Sequence, residues 1–247
     1  MGALKGANLD RMLGRQTLRF FAAPFSLLYV SCGASVRPLE TASSPEVAVA
    51  APAPLPRVTA ELEKPIAEWA LGLEPLKVEC ANTGATETVR LYARDGSVDP
   101  AAAEAFSRIA ADSNGFAPLH PRLIQLVVKA AHHFHSRTVV IVSGYRQKRA
   151  GKSDHHTAGE AIDFKLPGID YRQLAAHLNS YPLAGVGIYT NSKTHYVHLD
   201  VRERSYHWLD ASPPGIMWRE ALLPDPSQSK RDASYTPESD LPIEGHE

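Results

Sequence analysis

Three short polar stretches carry the side chains of this sequence that could do chemistry. Ser143-Gly-Tyr-Arg146 brings a guanidinium, and residues 154–163, Asp-His-His-Thr-Ala-Gly-Glu-Ala-Ile-Asp, bring imidazoles and a carboxylate. His195-Tyr-Val-His-Leu-Asp200 brings two more imidazoles and a further carboxylate. Neutral imidazole and carboxylate are the ligands zinc accepts where thiolates are absent, and a catalytic zinc needs three ligands with a fourth position open. His156 and Asp163 stand on either side of Gly159, the first in a loop and the second on a short apolar run. His198 lies among apolar neighbours, where a charged imidazole would be costly to bury and a metal bond would compensate. One zinc per chain, held by His156, Asp163 and His198, is the expected centre. The two cysteines, Cys32 and Cys80, do not have the spacing of a thiolate zinc site.

The elements that must position these residues follow from apolar periodicity. Residues 76–80 and 87–92 alternate apolar and polar around a turn at Asn82-Thr-Gly84 and predict a hairpin. Asp99-Pro100 predicts a helix start, by N-cap and first-turn proline, with Ala103, Phe106, Ile109 and Ala110 as its apolar face. A second helix is expected from Pro121, burying Leu123, Leu126, Val127, Ala130 and Ala131. The β-branched run 138–142 predicts a buried strand that delivers Ser143 to Arg146 at its end. Residues 161–165 predict a short strand, 171–179 a helix, and 185–189 and 195–201 two strands joined by a turn at Asn191-Ser192.

The ends of the chain read differently. Lys5, Arg11, Arg15 and Arg19 precede an apolar run over residues 20–30, the pattern of a secretory signal, too short to span a bilayer comfortably. It ends in Tyr29-Val-Ser-Cys32-Gly, which resembles a bacterial lipobox with tyrosine where leucine is usual. Two readings stay open: lipidation of Cys32, or a plain signal cleaved near Ala34. Either predicts export, to the periplasm or the outer membrane. The expected organisation is a signal over 1–32, an Ala- and Pro-rich tether with a short helix over 33–75, a catalytic domain over 76–222 and a disordered tail over 223–247. A net charge of -1 offers no global field for nucleic acid, and membrane contact is expected only through a lipid on Cys32.

Ser143-Gly-Tyr-Arg146, His156-x-x-Gly-x-Ala-x-Asp163 and Tyr196-Val-His-Leu-Asp200-Val-Arg202 together resemble the M15-type zinc D-Ala-D-Ala peptidases. The match is closest to their branch of murein endopeptidases and related exported proteins, in the fold group of the vancomycin-resistance D,D-dipeptidases and the hedgehog signalling domain. It runs over roughly residues 76–215 and includes Gly185-Val-Gly-Ile-Tyr189. The resemblance implies an α+β fold, an antiparallel sheet with flanking helices, zinc on His156, Asp163 and His198, and hydrolysis of a peptide bond in peptidoglycan. It also implies that Arg146 faces the scissile carbonyl, where its planar donor fork suits a developing oxyanion. The family pattern places His156, seven residues before Asp163, at the first ligand position, and leaves the neighbouring His155 out.

Proton transfer is the open question. In the dipeptidases a glutamate three residues before the third ligand acts as base, and His195 stands there in this chain. A regular strand turns residues three apart to opposite sides, so His195 reaches the centre only if the strand begins at or after it, or bends there. Asp200 and His207 are alternatives, and Asp200 could instead orient a ligand imidazole or a substrate amine. Tyr145, Asp200, His207 and Trp208 are the candidate cleft residues, while Lys148, Arg149 and Lys152 form a basic loop. His132-His133-x-His135 ends a helix and reads as capping. The expected activity is that of a murein endopeptidase or D,D-carboxypeptidase. The rivals are a cell-wall-binding domain that keeps the zinc fold without turnover and a zinc amidase of a non-murein peptide.

Overall fold

The computed structural model describes residues 65–111, 115–147, 154–193, 195–213, 216, 218 and 220–243. The expected signal, Cys32, the tether up to residue 64 and the basic residues Lys148, Arg149 and Lys152 lie outside the described residues.

Local signals place most of the elements. α1 (Glu68–Leu71) is a single turn, and β1 (Leu76–Cys80) buries Leu76, Val78 and Cys80 while pairing antiparallel with β2 (Thr86–Val89). α2 (Pro100–Ile109) begins where Ala101 donates its amide to the Asp99 carboxylate at 2.9 Å. α3 (Pro121–His133) begins in the same way, with Nδ1 of His120 accepting from the Arg122 amide at 3.2 Å. β3 (Thr138–Ser143), β4 (Ala161–Lys165), α4 (Tyr171–Leu178), β5 (Ala184–Tyr189) and β6 (Tyr196–Val201) follow. Beyond them lie β7 (Tyr206–Asp210), β8 (Ala221–Leu222), α5 (Gln228–Ala233) and a 3-10 turn, Pro237–Asp240. β7, β8 and α5 had no clear periodic signal.

The strands form one sheet in the order β2-β1-β3-β4-β6-β5-β7-β8. Its centre, β3-β4-β6-β5, is antiparallel, as expected. The whole sheet is mixed, because β1 runs parallel to β3 and β5 parallel to β7. The β1/β3 connection contains α2 and α3 and the β5/β7 connection contains β6, so neither pair is joined by a hairpin. The α+β class stands.

Pleating divides the sheet into two chemically different faces. Val78, Val139, Ile141, Ile162, Phe164, Val186, Val197 and Leu199 point to one face and are buried with Phe106, Leu123, Leu126, Val127, Leu174 and Leu178 of the helices. The alternating positions, Asp163, His198, Asp200, Gly185, Gly187 and Trp208, fall on the other. An apolar core on one side thus holds a polar constellation on the reverse. A register shift between Ile141 and Ser143 bends the end of β3 and aims the residues after it.

The expectation of a disordered tail after residue 223 is corrected. Its acidic residues match buried donors on the body. The Asp232 carboxylate accepts from the amides of Leu183 (2.8 Å) and Ser205 (2.9 Å) and from the Ser205 hydroxyl. The buried Asp240 accepts from Arg122 Nε (2.8 Å) and from the Tyr235 hydroxyl (2.8 Å), and Lys129 donates to the Ser239 carbonyl. A composition that reads as solvated is ordered here because its carboxylates have specific partners.

Candidate metal centre

His156 enters the site from the turn before β4. Gly159 makes that turn possible: its φ is +73°, and a Cβ there would stand 2.6 Å from the Pro118 carbonyl oxygen. Asp163 and His198 arrive on adjacent strands as direct register partners. All three side chains are buried.

Each ring has one nitrogen committed outward and one turned inward. Nδ1 of His156 lies 2.8 Å from the Gly144 carbonyl oxygen and therefore carries the proton, leaving Nε2 for the centre. Nε2 of His198 lies 3.0 Å from Asp200 Oδ2, which leaves Nδ1 inward. Asp163 presents Oδ1 to both rings, while Oδ2 accepts from Arg146 Nη2 at 2.8 Å. The inward atoms form a triangle: His198 Nδ1 to Asp163 Oδ1 is 2.9 Å, His156 Nε2 to His198 Nδ1 is 3.3 Å, and His156 Nε2 to Asp163 Oδ1 is 3.5 Å. A tetrahedral ion with bonds of about 2.0–2.1 Å spaces its ligands by about 3.3 Å. The donor set and its spacing both fit zinc. Among the described residues, His156, Asp163 and His198 are the group of His, Cys, Asp and Glu side chains close enough to share an ion.

The buried charges of the three residues satisfy one another. Burial by itself would raise Asp163, but hydrogen bonds to His156 and His198, and their charges, hold it well below the usual carboxylate range. Burial would lower His198, yet the hydrogen bonds to Asp163 and Asp200, with their charges, raise it. Asp200 is likewise held low against its burial, by His198 and Arg202.

Arg146 is both a support and an exposed group. Its Nε donates to Ser143 Oγ at 2.8 Å and its Nη2 to Asp163, while 45% of its side chain remains exposed, so the guanidinium can meet a ligand from solvent. Tyr196 shares the site face with His198 and stacks on Tyr189, ring centroids 4.5 Å apart. Burial and then the Asp163 charge push its phenol up to about 12, so it carries its proton at neutral pH.

The candidate bases are not brought to the open side of the centre. His195 has φ +43° and turns its ring onto Tyr171 of α4, with centroids 4.7 Å apart and planes within 8°; that helix packs on the apolar face. The bend before β6 thus sends His195 away from the three ligands. Asp200 is fully buried, and its oxygens are engaged by His198 and Arg202. His207 pairs in register with Val186, so it shares the apolar side of β7 and lies 3.7 Å from Asp225. It is therefore not a cleft residue. Trp208 is beside the site, 5.0 Å from the His198 ring, but buried as a wall. Tyr145 packs against the core and bridges Ala111. His155 turns outward, 3.0 Å from Glu160. Of the histidines ending α3, His133 stacks on His177 at 3.7 Å.

Sequence reasoning assigned no role to Ser143, the Gly144 carbonyl, Arg202, Gly185 or Gly187. The alternate glycines of β5, opposite a strand bearing His198 and Asp200, were the available signal.

The family model for peptidoglycan L,D-endopeptidase MepK, of the Peptidase_M15_2 family, matches residues 70–208, more than half of the 247-residue chain and all three inward-facing residues. No curated protein and no solved structure matches the chain.

Proposed function

The chain belongs to this peptidase family, and from that membership together with the His156, Asp163 and His198 triangle we propose that it is a zinc-dependent endopeptidase of peptidoglycan cross-links. The observation that carries the proposal is the convergence of two imidazole nitrogens and one carboxylate oxygen at tetrahedral spacing inside the matched segment. His156 Nε2, Asp163 Oδ1 and His198 Nδ1 would hold the ion. When bound, zinc supplies Lewis acidity toward a peptide carbonyl and toward water.

The chain's own groups do the rest. The Gly144 carbonyl and Asp200 fix the two imidazoles by their outward N–H groups. Arg146 holds Asp163 with one nitrogen and keeps an exposed guanidinium edge for the negative charge that develops on a scissile carbonyl oxygen. Tyr196 keeps its proton and can donate it in a hydrogen bond to a substrate on the same face. An L,D bond is the reading that the family description favours, and D,D-carboxypeptidase activity on stem peptides is the alternative.

The test is digestion of purified sacculi with zinc-loaded and chelated protein, with muropeptides resolved by mass spectrometry. Loss of cross-linked dimers without new C-terminal trimming supports the endopeptidase; release of a terminal D-residue alone supports the carboxypeptidase. Protein that pellets with sacculi and cuts nothing overturns the proposed turnover and leaves a binding domain. We further propose export, from the basic segment and the apolar run ending at Cys32; cell fractionation and palmitate labelling of a Cys32→Ala variant test it.

A further inference from the structure

We propose that Arg202, acting through Asp200, is a positioning residue that locks His198 in the orientation and tautomer needed for metal binding, and that Gly185 lacks a side chain to admit this pair. The proposal rests on the zinc reading of His156, Asp163 and His198.

The connections run inward from the protein surface. Arg202 donates from Nε to Asp200 Oδ1 at 2.5 Å and from Nη2 to Asp200 Oδ2, a two-pronged grip that fixes the plane of a carboxylate with no solvent contact. Asp200 Oδ2 is the oxygen that faces His198 Nε2, at 3.0 Å. With that carboxylate held in plane, Nε2 keeps its hydrogen as donor, so Nδ1, the atom turned toward Asp163 and His156, is the nitrogen left to bind an ion. A carboxylate free to rotate would hold the ring plane less firmly.

Arg202 is itself held. Its guanidinium lies 5.5 Å from the Tyr206 ring centre and 5.7 Å from that of Trp208, and Trp208 packs against His198 at 5.0 Å. The guanidinium and the imidazole are thus joined twice, through Asp200 and through the indole.

The strand behind them is emptied to make room. β5 presents Gly185 opposite Asp200 and Gly187 opposite His198. A Cβ at 185 would fall inside the Arg202 guanidinium and the Asp200 carboxylate, and one at 187 would stand 2.5 Å from Trp208 Cε2. Glycine weakens an interior strand, where β-branched residues pack best, so two glycines on one face mark a close approach that the fold keeps at a cost. β-Strand residues Val186 and Ile188, on the opposite face, keep their bulk.

The experiment measures zinc affinity of the full chain by competition with a chromophoric chelator, for wild type, Arg202→Met and Gly185→Ala. Neither substitution touches a proposed ligand. Each is expected to weaken zinc by about 10- to 100-fold. In the zinc-loaded wild type, the Nε2 proton of His198 should give a slowly exchanging NMR signal, and in both variants it should exchange faster. That signal separates orientation of the ring from a general loss of folding, and Arg202→Gln serves if Arg202→Met does not fold. Wild-type affinity in both variants, or an unchanged Nε2 proton, overturns the proposal. Wild type that binds no zinc overturns the metal reading itself, and the proposal with it.

Discussion

Asp163 and His198 are direct partners across β4 and β6, with Oδ1 2.9 Å from Nδ1, so the atoms that would bind a metal are also hydrogen-bond partners of each other. The pair therefore links metal, proton and stability. In the metal-free fold His198 is raised from its ordinary 6.5 to about 9, against its burial, by Asp163 and Asp200. The folded state then binds the His198 proton more tightly than the unfolded chain, so its stabilisation is full below pH 6.5 and lost as pH rises through about 9. Asp163 and Asp200 are depressed, so their contribution is present above the ordinary carboxylate range and lost as pH falls below it. Chelated protein should be most resistant to urea at mildly acid pH and weaken on both sides.

Zinc must displace the His198 proton from the same nitrogen. Apparent zinc affinity is expected to rise about tenfold per pH unit below pH 9, with one proton released per ion. Calorimetry in buffers of different ionisation enthalpy measures that proton directly. Asp163→Ala should abolish stoichiometric binding; full zinc content in that variant removes the ligand set.

Arg146 offers a way to separate catalysis from metal binding. Its contact to Asp163 uses the oxygen turned away from the triangle, and its guanidinium is exposed. Arg146→Ala should keep zinc and lower turnover by roughly 100-fold or more, with most of the change in kcat. Loss of metal with normal turnover per bound zinc would assign it a purely supporting part.

The sequence made the metal triangle legible because each ligand carried a local cue. His156 and Asp163 on either side of Gly159, and His198 among apolar neighbours, offered the imidazole and carboxylate set that zinc takes; the structure adds that Gly159 forms the turn delivering His156 and that Asp163 and His198 share one face. The proton-transfer residue was not legible, because it depends on one backbone angle. A φ of +43° at His195 sends its ring to Tyr171, and nothing in the residue types announces that bend. The tail was misread for a different reason: Asp232 and Asp240 look solvated until Ser205 and Arg122 are brought beside them, and composition carries no information on partners so distant in sequence. β7 was missed because a parallel neighbour of β5 needs no hairpin turn to announce it.

His195 should tolerate replacement. Its ring stacks on Tyr171 and not on the ligands, and its left-handed backbone suits asparagine better than most residues. His195→Asn is expected to keep turnover within a few-fold of wild type, with a small stability loss of about 0.5–1.5 kcal/mol from the lost stacking. A fall of 100-fold or more, with zinc retained, would return His195 to the reacting groups and require the bend before β6 to straighten on substrate binding.

The docked tail should be a determinant of stability. Asp240 and Arg122 expose only 4% and 12% of their side chains, and Arg122 also donates to the carbonyls of Pro182 and Leu183, just before β5. Asp240→Ala leaves a nearly buried guanidinium without its carboxylate, a change expected to cost about 3–5 kcal/mol. Asp232→Ala removes the acceptor shared by the Leu183 and Ser205 amides, which flank the strands carrying Gly187 and Trp208. If the tail holds those strands, Asp232→Ala should loosen the Trp208 wall as well as lower the melting temperature. Tryptophan fluorescence of Trp208, with Trp69 and Trp218 replaced by phenylalanine, should then shift to longer wavelength below the unfolding transition. An unshifted Trp208 signal with a lowered melting temperature would confine the tail to global stability and detach it from the site.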